Sequence, residues 1–232
     1  MRTHVLTGAT SGIGAALGRA LAERGDRLVL LARSETTATA LALDFPQAQV
    51  LSVDLADPGT LNGLGRQVEG RVDSLLQVAG VVELAPVSRL RLHDWQEQLA
   101  VNLTSPAVLT REFLPHLRES RGIVVFVNSS AGLTANAEWS AYAASKFGLR
   151  ALADALRAEE VEHGVRVTTI YPSRTATPMQ QKVHEQEGRT YDASRWISPE
   201  TVVSTVLHVL DLPVDATIPD LTVRPVVPRP GT

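Results

Sequence analysis

"THVLTGATSGIGAALGRALAERG", residues 3–25, decides the fold. A short apolar run, Thr3 to Thr7, leads straight into Gly8, Gly12 and Gly14, spaced G-x-x-x-G-x-G, and a helix pattern starts at 12. Glycines at a strand-to-helix junction permit a tight turn and let backbone N–H groups come close to a pyrophosphate, while the helix N-terminus adds partial positive charge. Gly8, Gly12 and Gly14, with Thr10, Ser11 and Ile13 between them, therefore form a candidate dinucleotide cradle.

The pattern repeats along the chain. Apolar or β-branched runs at 3–7, 27–32, 48–53, 74–79, 122–128, 165–171 and 220–225 predict strands. Most do not alternate, as suits strands buried on both faces of a parallel sheet. Helix patterns lie near 12–24, 35–43, 59–68, 92–118, 139–162 and 199–209, with Asp57 and Pro58 fitting a cap and a first turn. Strand–helix–strand repetition means a parallel sheet covered on both sides. The expected architecture is α/β: a doubly wound, seven-stranded parallel sheet in a single domain over 1–232. Segment 178–198 is polar with no clear strand, and the tail "PVVPRPGT" reads as extended.

Composition narrows the function. The 232 residues are 44% hydrophobic and 20% charged, with a net charge of −3 and no basic block. That disfavours nucleic acid or an anionic membrane as partner. Without a cysteine there is no disulfide, thiolate metal site or cysteine nucleophile, and the six histidines are too scattered for metal-ligand spacing, so no metal is expected. No apolar run reaches the ~18 residues of a membrane span. The N-terminus does not read as a signal peptide, and a cytoplasmic location is expected.

At the end of the second predicted strand, about 20 residues past the glycines, an acidic residue suits the ribose 2′-hydroxyl of NAD and an arginine the 2′-phosphate of NADP. "LLARSE" places Arg33 there, with Ser11 and Ser34 as further phosphate donors, so NADP(H) is favoured over NAD(H). A second signal is Tyr142 and Lys146 in "SAYAASK". Residues four apart share a helix face, and the chain uses 20 arginines but only two lysines, Lys146 and Lys182. A phenol with a pKa of about 10 needs ~4 kcal/mol to reach neutrality as a base. A unit charge ~4 Å away at an effective dielectric of ~20 supplies about that much. Lysine suits the role as a compact point charge.

"TGATSGIG", "VDLAD", "VNSSAG" and "YAASK", in this order, resemble the short-chain dehydrogenase/reductase (SDR) family over essentially the whole chain. The resemblance implies a Rossmann-type fold and an NADP-dependent oxidoreductase acting on a carbonyl or secondary alcohol of a small molecule. It makes Tyr142 the general acid/base and Lys146 the ribose-binding residue. Ser129, with Ser130 as alternative, would hold the substrate oxygen, and Asn102 would hold a water of a proton relay through a carbonyl that Pro106 leaves without a helical partner. It further implies cofactor contacts from Asp54 and Leu55 at the adenine, from Ala79 and Gly80, and from Pro172, Ser173, Thr175 and Thr177. Segment 178–198 is similar to the family's substrate lid, with Tyr191 and Trp196 as candidates to close over a ligand and Trp139 at the entrance. A homo-oligomer through the fourth and fifth helices is expected.

Two positions depart from the family pattern. Val78 replaces an asparagine and puts a sheet-stabilising hydrogen bond in doubt. Ser173 replaces a glycine, so its backbone must avoid φ > 0 or accept strain. Two other readings stand beside this one: a catalytically silent dinucleotide-binding sensor, and an epimerase or dehydratase. The intact Ser/Tyr/Lys set weighs against the first and the short chain against the second.

Overall fold

The computed structural model describes residues 1–226, so most of the tail read as extended lies outside the described residues. Seven strands form one sheet: β1 (Thr3–Thr7), β2 (Arg27–Ala32), β3 (Gln49–Ser52), β4 (Ser74–Gln77), β5 (Ile123–Val127), β6 (Arg166–Pro172) and β7 (Asp220–Val223). All pairs are parallel, in the order β3-β2-β1-β4-β5-β6-β7. The order reverses at β1, which has β2 on one side and β4 on the other. In such sheets the crevice for a ligand opens beyond the carboxyl ends of the strands at this switch point.

Neighbouring residues of each central strand point to opposite cores. Val5, Val29, Leu75, Val124 and Phe126 pack under helices α4 (Ser105–Ser120) and α5 (Ser140–Glu159). Leu6, Leu30, Leu76, Val125 and Ile170 pack under α1 (Gly12–Glu23), α2 (Glu35–Asp44) and α7 (Pro199–Leu210). Apolar side chains on both faces explain why the strands do not alternate. Among the described residues no helix is long and apolar enough to cross a membrane.

Two sequence expectations are corrected, and the segment 178–198, read only as polar and without a strand, is given its form. The segment 59–68 is not an α-helix but two 3₁₀ turns, Pro58–Leu61 and Leu64–Gln67. Gly63 between them is left-handed (φ 81), which ends any regular helix, and a Cβ on Gly65 would stand 2.3 Å from the Glu112 carbonyl oxygen. The helix 92–118 is three pieces: α3 (Leu92–Leu99), a π-helical turn (Ala100–Thr104) and α4. Pro106 has no N–H to give the carbonyl four residues back, and a wider turn relieves the mismatch. Finally, 178–198 contains helix α6 (Pro178–Gln186), started by Thr177 accepting from the Gln180 N–H at 3.2 Å and by Pro178 in the first turn.

Candidate active site

A cleft of ≈ 880 Å³ opens at the carboxyl end of the sheet. Its floor is the glycine turn. Gly8 and Gly12 have φ of 78° and 52°. A Cβ on Gly8 would lie 2.9 Å from the Ala79 nitrogen, and one on Gly14 would lie 2.1 Å from the Gly8 oxygen. Only glycine fits at these positions. Ser11, the N-cap of α1, makes no side-chain cap, and the first intrahelical bond is Ala15 N–H to Ser11 O. The N–H groups of Gly12, Ile13 and Gly14 thus have no intrahelical acceptor, and all three residues line the cleft with Thr10 and Ser11.

Across the turn, the exit of β4 is held by Thr7. Its hydroxyl accepts from both the Val78 and Ala79 N–H groups at 3.0 Å. Val78 therefore leaves this junction tied without an asparagine. Behind Gly80, Asn102 is fully buried and does not line the cleft. Its amide bonds both backbone groups of Val81 at 2.9 Å and donates to Ser145 Oγ at 3.0 Å. Ser145 donates in turn to the Tyr142 carbonyl at 2.7 Å. The Asn102 side chain thus clamps the β4 exit to α5, while the part that the resemblance implies for this residue belongs to its main-chain carbonyl.

Tyr142 and Lys146 share the inner face of α5, 6% and 3% exposed, and both line the cleft. Lys146 Nζ lies 5.7 Å from the centre of the Tyr142 ring and donates to the Val127 carbonyl at 3.3 Å. Ser129 and Ser130 both line the cleft, Ser130 as the first residue of the turn Ser130–Gly132. Of the two candidate serines, Ser129 is the one whose hydroxyl acts on the phenol. Asn128, which the sequence reading passed over, fixes this corner: its Oδ1 accepts from the Ser129 N–H at 2.8 Å and its Nδ2 donates to the Lys146 carbonyl at 3.0 Å. Gly132 permits the approach, since a Cβ there would stand 2.6 Å from Asn128 Oδ1.

The remaining candidates divide. Arg33, Asp54, Leu55, Ala79, Gly80, Pro172, Ser173, Thr175 and Thr177 line the cleft. Ser34 does not: its hydroxyl accepts from the Thr37 N–H and caps α2, while Thr37 takes its place in the wall. Ser173 needs no left-handed backbone, for Arg121 and Glu138 are the only non-glycine residues with positive φ among those described. Trp139 stands at the cleft edge-on to Tyr142, 5.7 Å between centroids and 70° between planes. Tyr191 and Trp196 do not line it; they pack on His184 at 5.4 and 5.1 Å.

A family model described as short chain dehydrogenase matches residues 2–188. The chain belongs to this family. Among its relatives, the D-threitol dehydrogenase of Mycolicibacterium smegmatis is 34% identical over 206 residues, 85% of this chain and 78% of that one. An alcohol dehydrogenase from the archaeon Thermococcus sibiricus, solved with 5-hydroxy-NADP, superposes with a TM-score of 0.86 at 25% identity, covering 100% of both chains. A 4-hydroxyisoleucine dehydrogenase solved with NADH gives 0.83 at 25%, covering 96% of this chain and 97% of that one. This short-chain dehydrogenase is an oxidoreductase with the family's parallel seven-stranded sheet.

The electrostatics of this member depart from the sequence expectation. Burial pushes the Tyr142 phenol up to about 12, against the lowering effect of the Ser129 hydroxyl. Burial also brings the Lys146 ammonium down to about 8. Lys146 does not offset this rise: its Nζ lies 5.7 Å from the centre of the Tyr142 ring and is turned to the Val127 carbonyl. The residues nonetheless fit a dinucleotide: unpartnered N–H groups at the α1 terminus suit a diphosphate, and the cradle is one that any Cβ would fill.

Proposed function

We propose that the protein is an NADP-dependent oxidoreductase that interconverts a carbonyl and a secondary alcohol, with Tyr142 as the general acid/base. The observation that carries this reading is the buried Tyr142, with Lys146 on the same helix face and Ser129 beside them in the cleft wall. Gly8 to Gly14 would hold the diphosphate, Asp54 and Leu55 the adenine side, and Lys146 the nicotinamide ribose. Ala79, Gly80, Pro172, Ser173, Thr175 and Thr177 would frame the nicotinamide end. When bound, the reduced nicotinamide supplies a hydride to the carbonyl carbon and is oxidised as the carbonyl becomes an alcohol. Ser129 and Tyr142 donate hydrogen bonds to the carbonyl oxygen, where negative charge develops. Tyr142 then releases its proton to that oxygen. A phenol that holds its proton at neutral pH suits the reductive direction, which starts from the neutral acid.

Preference for NADP rests on Arg33, an exposed arginine in the cleft wall with no hydrogen bond or ion pair among the described residues. The Tyr142→Phe variant tests the reading: turnover should fall by about 10²- to 10⁴-fold, the span of general acid catalysis, with cofactor binding retained. Unchanged turnover would remove Tyr142 from the reaction. A cytoplasmic homo-oligomer joined through α4 and α5 completes the proposal, and sedimentation of the purified protein measures its size.

A further inference from the structure

The substrate end of the cleft has its own small core, separate from the two that hold the sheet. Val82, Ala131 and Val183 are buried with Tyr142 in one cluster, and Trp139 and Met179 pack against it. The group bonded to the reacting carbonyl carbon must lie against whatever surrounds the Tyr142 hydroxyl. Ser129 and Ser130 supply hydroxyls on one side of it, and the rest of the cluster is aliphatic carbon and an indole.

Arg174, also in the wall, is already neutralised. Glu187, at the end of α6, takes it in a two-pronged pair at 2.9 and 2.6 Å, each side chain 12% exposed. Its guanidinium lies 5.8 Å from the Trp139 ring centre and 5.6 Å from that of Trp196. The arginine is a spacer that fixes Trp139 against Tyr142. Arg224, after β7, lines the cleft without an ion pair among the described residues, but it enters beside Ser173, through the Ser173 N–H to Val223 carbonyl bond of 2.8 Å, rather than in the cluster around the phenol.

We infer that the substrate is an uncharged ketone or aldehyde bearing an aromatic or branched apolar group, seated on the wall of Val82, Trp139, Met179 and Val183. The inference rests on Tyr142 being the acid/base. Arg174 is a positioning residue for that wall.

Ethyl phenylglyoxylate and phenylglyoxylate test it, since they share an aryl ketone and differ by one negative charge; dihydroxyacetone represents a polyhydroxy ketone. With NADPH, the ester should exceed both others by at least about tenfold in kcat/KM. Trp139→Ala should raise KM for the ester more than it lowers kcat, and Trp139→Phe should restore most of it. Glu187→Gln, which frees the Arg174 charge, should narrow the gap between ester and acid. Preference for the acid, abolished by Arg224→Met, would overturn the inference in favour of an anionic substrate. Preference for dihydroxyacetone would overturn it too. So would no turnover of any of the three while NADPH still raises the melting temperature, an outcome that leaves the dinucleotide site standing. Normal turnover by Tyr142→Phe would instead strike the acid/base reading alone.

Discussion

A phenol enclosed by Val82, Ala131 and Val183 holds its proton more tightly than one in water, and an ammonium in the same enclosure holds its proton less tightly. The acid for reduction is therefore present across the neutral range, and Lys146 limits the alkaline side. Its charge is present below about 8 and lost as pH rises through that value. Because kcat/KM reports the free enzyme, kcat/KM for NADPH should fall above about pH 8. A flat profile to pH 10 would show that the ammonium is not needed for binding. Arg33 makes a second prediction. A hydrogen bond to a charged group contributes roughly 1.5–3 kcal/mol, so Arg33→Ala should weaken NADPH binding by about 10- to 100-fold and leave NADH nearly unchanged. Equal losses for both would assign the phosphate to another group, with Ser11 and Thr37 as candidates in the wall. At this scale the sequence carried the chemistry well, because Tyr142, Lys146 and the glycines are set by local spacing. It carried the hydrogen-bond partners poorly. The Ser34 hydroxyl is taken by the Thr37 N–H three residues on, a local cap that competes with any ligand. Nothing in the run of residues says that Asn102 is shared between Val81 and Ser145, which are distant in sequence.

Among elements, the turn from β1 to α1 tolerates least. Gly14→Ala places a Cβ 2.1 Å from the Gly8 carbonyl oxygen, and overpacking of this kind costs roughly 1–3 kcal/mol. The variant should melt several degrees lower and lose the stabilisation that NADPH confers. Full retention of both would mean that the turn can open without loss. All seven strands stand where the apolar runs put them: the five inner strands are buried on two faces and leave an unbroken signal, while the edge strands β3 and β7 are only half-buried. Helices were harder to bound. The run from 92 to 118 is periodic throughout, and only Pro106 hints at the π turn that sets Asn102 inward. Helix α6 lacks an apolar stripe of ordinary width, so its one legible mark was the Thr177–Pro178 start. The segment 59–68 has helix-like spacing, but Gly59, Gly63 and Gly65 count against a helix.

For the whole molecule, stability should depend on pH through the amino-terminal end of the sheet. His4 is buried between Ser74, 2.7 Å from Nδ1, and Asp26, 3.3 Å from Nε2, with Asp73 and Arg2 also acting on it. Burial, the largest influence, lowers its pKa below the usual 6.5 despite the attraction of Asp26. The folded state therefore favours the neutral ring. That contribution is intact above about 6.5 and is lost as pH falls below it, where the unfolded chain takes up the proton first. The melting temperature should drop between pH 7 and pH 5.5, and His4→Gln should flatten the drop; an identical slope in both proteins would place the sensitivity elsewhere. Cofactor binding is also read at this scale. Saturation at 100 times the dissociation constant contributes about 2.7 kcal/mol, or roughly 5–10 °C for a domain of this size. The shift with NADPH should exceed that with NADH.

Strand β7 lies at the sheet's edge yet is paired to β6 in parallel, and Arg224 and Pro225 just beyond it complete the cleft wall. A parallel neighbour cannot be reached by a hairpin, so these residues dock only after the chain has run through α6 and α7. During synthesis the glycine turn and the Tyr142 helix leave the ribosome long before the last wall of their own cleft. A nascent chain stalled short of Asp220 would carry every reacting group and an unfinished chamber. Competence for ligand should therefore arrive abruptly, once β7 and the two residues after it have been made, rather than grow in step with chain length.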